Sequence, residues 1–105
     1  MGYRVRKVDL NQPAIVKQFR ALGCTVCILS SVGNGVPDIL ISKRIGSPLR
    51  DKDVLWSALI EIKDGTKPAS GRKLTPLEDA FHKSWQGEIY VISSEQEAID
   101  LINSL

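Results

Sequence analysis

Residues 35–41 read GVPDILI and residues 59–65 read LIEIKDG, and these two stretches decide the fold. Each is a short apolar run, rich in β-branched side chains and bounded by glycine or proline on at least one side, which is typical of a buried strand. Asp38 begins the first predicted strand, and Glu61 and Lys63 lie near the end of the second.

Pairing between these strands would bring the charged residues together. Glu61 and Lys63 are two positions apart on one strand, so their side chains project from the same face, about 7 Å apart. If the strands are antiparallel, the start of one lies beside the end of the other, and Asp38 converges on this pair. The sequence therefore predicts two carboxylates and an ammonium group at one edge of a sheet.

The residues before this region predict a helix and a strand. The helix covers about 12–22, because Asn11 suits the N-cap position, Pro13 lies in the first turn and Gly23 suits the C-terminal stop. A buried strand at about 24–30 follows. After the second strand, the polar residues 44–54 predict a loop, and the third strand covers about 56–63.

The last third of the chain predicts two helices with a strand at 88–92 between them. Thr75 and Glu78 form a capping box at the start of the first helix, and Ser94 and Glu97 form another at the start of the second. The apolar residues expected on the buried helix faces are Leu77, Phe81 and Trp85 in the first and Ala98, Ile99, Leu101, Ile102 and Leu105 in the second. The order α-β-β-β-α-β-α predicts an α/β fold with a mixed sheet flanked by helices.

Composition limits the class of protein. A chain of 105 residues is expected to form one domain, residues 1–105, and its net charge of +2 is equally consistent with a nucleic-acid binder and an ordinary solvated surface. No apolar run could span a bilayer and no signal peptide is apparent, so we expect a cytoplasmic protein without membrane contact. Cys24 and Cys27 are expected to be small buried residues in a reducing compartment.

The charged cluster suits one chemistry in particular. Hard oxygen ligands hold magnesium, which takes one or two carboxylates from a protein and keeps several waters. The metal polarises a phosphate and acidifies water, while a nearby lysine offsets the negative charge that develops during attack. Taken singly, Asp38 could instead cap a turn, and Glu61 with Lys63 could form a solvated cross-strand face.

The arrangement resembles the PD-(D/E)XK nuclease superfamily: Pro37-Asp38 matches its PD and Glu61-Ile62-Lys63 its ExK. With KLTP at residues 73–76, the chain looks like the virus-type replication-repair nuclease (VRR-NUC) group, known from phage and other proteins, which is related to archaeal Holliday junction resolvases. The resemblance implies a restriction-endonuclease-like α-β-β-β-α-β core, here with an added C-terminal helix. It also implies a metal-dependent DNA endonuclease, with branched DNA among its expected substrates, that works as a homodimer.

The resemblance further assigns residue roles. Asp38, Glu61 and the main-chain carbonyl of Ile62 would hold Mg²⁺, for which Mn²⁺ can substitute, and Lys63 would orient the attacking water. Relatives carry a glutamate near the start of the first helix, where this chain has Gln12, which places a second metal in doubt. Relatives also often place a glutamine in the helix after ExK, where Glu78 is the closest match here.

The loop after the third strand is the predicted DNA-binding segment. Residues 64–73 follow directly after the ExK strand and carry Lys67, Arg72 and Lys73 among glycine, proline and serine, so we expect a flexible loop that contacts phosphates.

Two interpretations compete with an endonuclease: a nuclease fold that binds DNA without cutting it, and a structural or RNA-binding α/β protein. Intact Asp38, Glu61 and Lys63 argue against both.

Overall fold

The computed structural model of the protein describes residues 9–46 and 54–105. Within these ranges the elements are α1 (Gln12–Ala21), β1 (Thr25–Ile28), β2 (Ile39–Ile45), β3 (Val54–Ile62), a 3-10 turn (Ala69–Arg72), α2 (Pro76–Ser84), β4 (Ile89–Ile92) and α3 (Glu95–Asn103). This is the predicted order. The predicted loop over 44–54 begins later than expected, because β2 continues to its end at residue 45, and residues 47–53 of that loop lie outside the described ranges.

The sheet is mixed and its register positions the candidate site. The strand order is β1-β2-β3-β4, with the first three strands antiparallel and β4 parallel to β3. Ile39 of β2 pairs with Ile60 of β3, so one step further along the ladder Asp38 lies opposite Glu61. Antiparallel pairing therefore brings together the two carboxylates that are far apart in sequence.

Helices α1 and α3 cover one face of the sheet and form the core with it. α1 ends where Gly23 takes a φ of 90°, and Nζ of Lys43 donates to the carbonyl oxygen of Leu22 at 2.9 Å, which satisfies a free carbonyl of the last turn. The buried apolar cluster consists of Ile15, Val16, Phe19, Cys24, Ile39, Ile41, Ala58, Ile60, Ile62, Ile92, Ala98 and Ile102. This core fixes β2 and β3, the two strands that carry the candidate site residues.

The prediction of a buried strand at 24–30 was wrong in two respects. β1 is shorter, Thr25–Ile28, and it is an edge strand that pairs with β2 alone among the described strands. Most of its side chains are consequently exposed, Ile28 by 54%, and Val26 is half-buried against the core. Cys24 is buried as predicted, but Cys27 lies on the exposed part of the strand, and both thiols are free.

The predicted buried stripe of α2 was also wrong. Leu77 is 62% exposed and Trp85 44% exposed, whereas the buried residue of α2, within the described chain, is Glu78. The physical reason is that Glu78 forms an ion pair with Lys63, so α2 turns a charged residue toward the sheet and leaves Leu77 and Trp85 exposed, while Phe81 is half-buried. Phe81 and Trp85 stack on each other with centroids 5.5 Å apart.

α3 follows the prediction more closely. Ala98 and Ile102 are buried, Ile99 and Leu101 are half-buried, and Leu105 is exposed because it lies beyond the end of the helix. The Ser94 side chain accepts from the Glu97 N–H as expected of an N-cap, but the Glu97 carboxylate accepts from Ser93 N–H, so the second arm of the predicted capping box is missing. None of the helices in the described ranges is long and apolar enough to cross a membrane.

Candidate active site

Asp38 lies at the start of β2, immediately after a tight turn. It is 7% exposed, and its Oδ2 accepts a 2.7 Å hydrogen bond from the main-chain N–H of Ile62. The turn before it has positive φ at Gly33, Asn34 and Gly35. The Asp38 carboxylate is thus held at the end of β3 by the backbone of the ExK motif itself.

Gly35 brings this turn against α2. Its φ is 80°, and a Cβ there would lie 2.3 Å from the carbonyl oxygen of Leu77. A side chain at this position would therefore push the turn and the first turn of α2 apart. The glycine seats Glu78 over the same end of the sheet that carries Asp38, a role that the sequence alone did not reveal.

Glu61 is the most deeply buried charged residue of the cluster, at 2% exposure. Burial raises the pKa of Glu61 to about 9, and the hydrogen bond to Asp38 and the negative charges of Asp38 and Glu78 add to this, while Lys63 opposes it. In the metal-free protein Glu61 is consequently protonated at neutral pH. Its Oε1 atom is buried and has no hydrogen-bond partner among the described residues.

Lys63 lies between two carboxyl groups. Its Nζ is 2.7 Å from Oε1 of Glu78 and 4.0 Å from Oε2 of Glu61. Burial acts to raise the pKa of Glu78, but the hydrogen bonds from Lys63 and Thr75 together hold that pKa below its usual value. Glu78 therefore combines the predicted capping box with an ion pair that the capping motif did not indicate.

Gln12 lies in the first turn of α1 and is 5% exposed. Its Nε2 donates to Oγ of Ser30 at 2.8 Å, and this hydroxyl is 3.5 Å from the carbonyl oxygen of Asp38. The Oε1 atom of Gln12 is buried without a hydrogen-bond partner in the described ranges. The structure thus connects Gln12 to the strand end that carries Asp38, through Ser30, which the sequence analysis did not single out.

Asn11 has a different role from the one predicted. It occupies the N-cap position of α1 but makes no side-chain capping bond. Its Nδ2 instead donates to the carbonyl oxygens of Lys63 at 2.9 Å and Ser93 at 3.1 Å. It ties the start of α1 to the ends of β3 and β4, beside the candidate site.

The residues present fit a hard cation. Asp38 and Glu61 supply facing carboxyl groups, and the unpartnered Oε1 atoms of Glu61 and Gln12 are buried oxygens that lack a donor. No group of three or more His, Cys, Asp or Glu residues that could hold a metal occurs in the described ranges. Two carboxylates, neutral oxygens and retained water are the usual coordination of magnesium, so the set suits one ion of that kind.

The basic loop is exposed and partly structured. Lys67, Arg72 and Lys73 are all on the surface, and the 3-10 turn Ala69–Arg72 lies within the segment that was predicted to have no regular element. Asp64 begins the loop by accepting from the N–H and hydroxyl of Thr66, at 2.9 and 2.7 Å. Nζ of Lys67 lies 3.9 Å from Asp9.

Comparisons of the sequence with known proteins identify one relative of different activity. No protein-family model matches the chain. A UDP-N-acetylmuramate–L-alanine ligase of Carboxydothermus hydrogenoformans is 29% identical over an alignment of 118 residues that covers 95% of this chain. This chain spans about a quarter of that ligase, 25% of its length, so the activity of the whole ligase does not carry over.

The four-stranded mixed sheet with its flanking helices defines a restriction-endonuclease-like nuclease fold. A solved structure described as a VRR_NUC domain superimposes on 88% of this chain and 89% of its own, with a TM-score of 0.58 and 25% sequence identity. This likeness supports the predicted VRR-NUC group of the PD-(D/E)XK superfamily.

Proposed function

We propose that the protein is a metal-dependent endonuclease that hydrolyses phosphodiester bonds in DNA. The observation that carries the proposal is the pairing of Asp38 with Glu61 at one end of the sheet, with Lys63 4.0 Å from the Glu61 carboxylate, in a nuclease fold. The buried Oε1 atom of Glu61 has no hydrogen-bond partner in the described residues, and such costly buried polar atoms persist where a ligand uses them.

The carboxyl groups of Asp38 and Glu61, with the main-chain carbonyl of Ile62, would hold Mg²⁺ or Mn²⁺. Once bound, the ion supplies Lewis acidity at the scissile phosphate and acidifies a water molecule. Loading requires Glu61 to lose its proton, because its raised pKa keeps it neutral in the metal-free protein. The Ile62 N–H holds Asp38 in place while this happens.

Lys63 supplies positive charge beside the reacting phosphate. The Lys63 side chain is 11% exposed, so water screens its charge little, and Glu78 fixes its position through the 2.7 Å contact. A preorganised cation of this kind stabilises the negative charge that builds on the phosphate during attack. Lys67, Arg72 and Lys73 would contact phosphates away from the cut, because they project from the loop that follows Lys63.

We also propose that the active form is a homodimer acting on branched DNA in the cytoplasm. Two identical sites match the two strands that must both be cut, and two-fold dimers are the commonest oligomers. The exposed apolar side chains of Leu77 and Trp85 on α2 support an intermolecular contact. Light scattering at micromolar concentration tests the dimer, since a mass that stays at 11.6 kDa with DNA and magnesium present would contradict it.

The wild-type protein tests the cutting activity directly. It is incubated with supercoiled, linear duplex, single-stranded and four-way-junction DNA in magnesium, manganese, calcium or EDTA. We expect cutting in magnesium and manganese, preferentially of the junction, and none in calcium or EDTA. Binding without cutting under all conditions would instead establish a DNA-binding module.

A further inference from the structure

A pocket lies next to the candidate active site, on the side of α1. It has a volume of about 340 Å³ and is lined by Gln12, Pro13, Val16, Lys17, Arg20 and Ile28. The charged groups in this lining are both cations, and neither forms an ion pair with a carboxylate of the described residues. The remaining lining is mainly apolar, with the exposed face of Ile28 opposite the helix.

Gln12 connects this pocket to the candidate site. The same side chain that lines the pocket donates to Ser30, whose hydroxyl is 3.5 Å from the carbonyl oxygen of Asp38. It is 95% buried, since 5% of its surface is exposed, and its Oε1 lacks a donor. A ligand that contacts Gln12 in the pocket would therefore be connected to the main chain of Asp38 through a single further residue, Ser30.

We propose that this pocket binds one unpaired nucleotide of the DNA substrate, next to the nucleotide whose phosphate is cut; the inference rests on the proposed nuclease function. Arg20 and Lys17 are suited to the phosphate, and Pro13, Val16 and Ile28 offer an apolar wall for a base. The volume is in the range of pockets that hold small ligands of this size. A base paired within a duplex could not enter, so the pocket favours branched or single-stranded DNA.

Arg20 gives the sharper test of the two cations. Lys17 also lines a second cavity together with Glu95, so its replacement would alter two cavities at once. Arg20 is exposed in the last turn of α1, and a guanidinium binds phosphate with two parallel hydrogen bonds. The matched control is Lys83→Ala on α2, which removes one exposed cation whose partner is Asp79.

The first experiment measures fluorescence anisotropy of a labelled single-stranded oligonucleotide and its duplex with the full chain in EDTA. For Arg20→Ala we expect affinity for the single strand to fall about tenfold and the salt slope to fall by about 0.7. Affinity for the duplex should fall less than threefold, and Lys83→Ala should match wild type on both DNAs. Equal losses on single strand and duplex, or no loss on either, would overturn the inference.

A second variant tests the apolar wall. Ile28→Glu places a carboxylate beside the two cations, on an exposed strand position that should tolerate it; Leu55→Glu, 71% exposed on β3, is the control for adding charge. We expect Ile28→Glu to weaken single-strand binding at least as much as Arg20→Ala does. Wild-type affinity in Ile28→Glu would overturn the proposal.

A mononucleotide separates nucleotide binding from binding of phosphate alone. Amide chemical shifts are recorded with thymidine 5′-monophosphate and, separately, with inorganic phosphate. We expect the nucleotide to shift the amides of Ile28 and Arg20 and phosphate to shift Arg20 alone. Identical shifts from both ligands would overturn the assignment of a base to the apolar wall.

The same samples separate this inference from the proposed function. Magnesium-dependent cutting of supercoiled DNA is measured for every variant. If wild type cuts and Arg20→Ala binds single strands normally, the nuclease stands and the pocket assignment falls. If wild type neither binds nor cuts any DNA, both fall.

Discussion

The ammonium group of Lys63 lies 2.7 Å from the Glu78 carboxylate, so the second helix is joined to the third strand by a buried ion pair. This contact sets the orientation of α2 and keeps the Lys63 charge beside Glu61. It also gives the protein a pH dependence that can be measured without DNA or metal.

Replacing Glu78 with glutamine should destabilise the protein at pH 7 by about 1–3 kcal/mol, because Lys63 loses a buried charged partner. The folded-state pKa of Glu78 is depressed, so its contribution is present above the unfolded value of about 4.5 and is lost as pH falls through the folded value. The difference between wild type and Glu78→Gln in urea unfolding should therefore shrink below pH 4.5. Asp79→Asn, which breaks the exposed pair with Lys83, should have little effect at any pH.

Replacing Glu61 with glutamine should have the opposite effect on the metal-free protein. The pKa of Glu61 is raised to about 9, so the unfolded state releases its proton first and wild-type stability falls as pH rises from about 4.5 toward 9. Glu61→Gln should therefore be more stable than wild type at pH 8 in EDTA, by roughly 1–3 kcal/mol. If the free energy of unfolding of this variant depends on pH as that of wild type does, Glu61 is not the group that titrates. The control is Glu95→Gln, at the exposed start of α3.

Restoring an acid at Gln12 should strengthen metal binding. Gln12→Glu adds a negative charge where a buried amide oxygen already lacks a donor, and the Ser30 hydroxyl, which accepts from Gln12 Nε2 in wild type, can turn to donate to the new carboxylate. We expect manganese affinity in calorimetry to rise roughly tenfold, since ligand charge sets the affinity of such sites. Gln18→Glu, on the same helix, should leave it unchanged. Equal affinities in wild type and Gln12→Glu would remove Gln12 from the site.

Removal of the positive charges of the basic loop should be visible in the salt dependence of DNA binding. A triple alanine variant of Lys67, Arg72 and Lys73 should lower the slope of log affinity against log salt by about 0.9 for each duplex phosphate that the variant no longer neutralises. Lys67 should contribute least, because Asp9 lies 3.9 Å from it. If the triple variant keeps the wild-type slope, the loop is a connector and does not bind DNA.

The sequence predicted the convergence of Asp38 and Glu61, because strand parity and antiparallel pairing are local rules that the apolar core enforces. It did not predict the orientation of α2. The spacing of Leu77, Phe81 and Trp85 identifies an apolar stripe, but it cannot show that the Lys63–Glu78 pair decides which side faces the sheet. The same limit applies to Asn11, whose bonds to Lys63 and Ser93 join residues distant in sequence.

Cutting by Asp38→Asn tests the central claim most directly. The amide oxygen of asparagine can still accept from the Ile62 N–H, so the variant can keep the 2.7 Å contact that holds the strand end while it loses the charge that metal binding needs. Nicking of supercoiled DNA in magnesium should fall by at least about a hundredfold, while DNA affinity in calcium and the urea midpoint stay close to wild type. Magnesium-dependent nicking at the wild-type rate by this variant would contradict the assignment of the site.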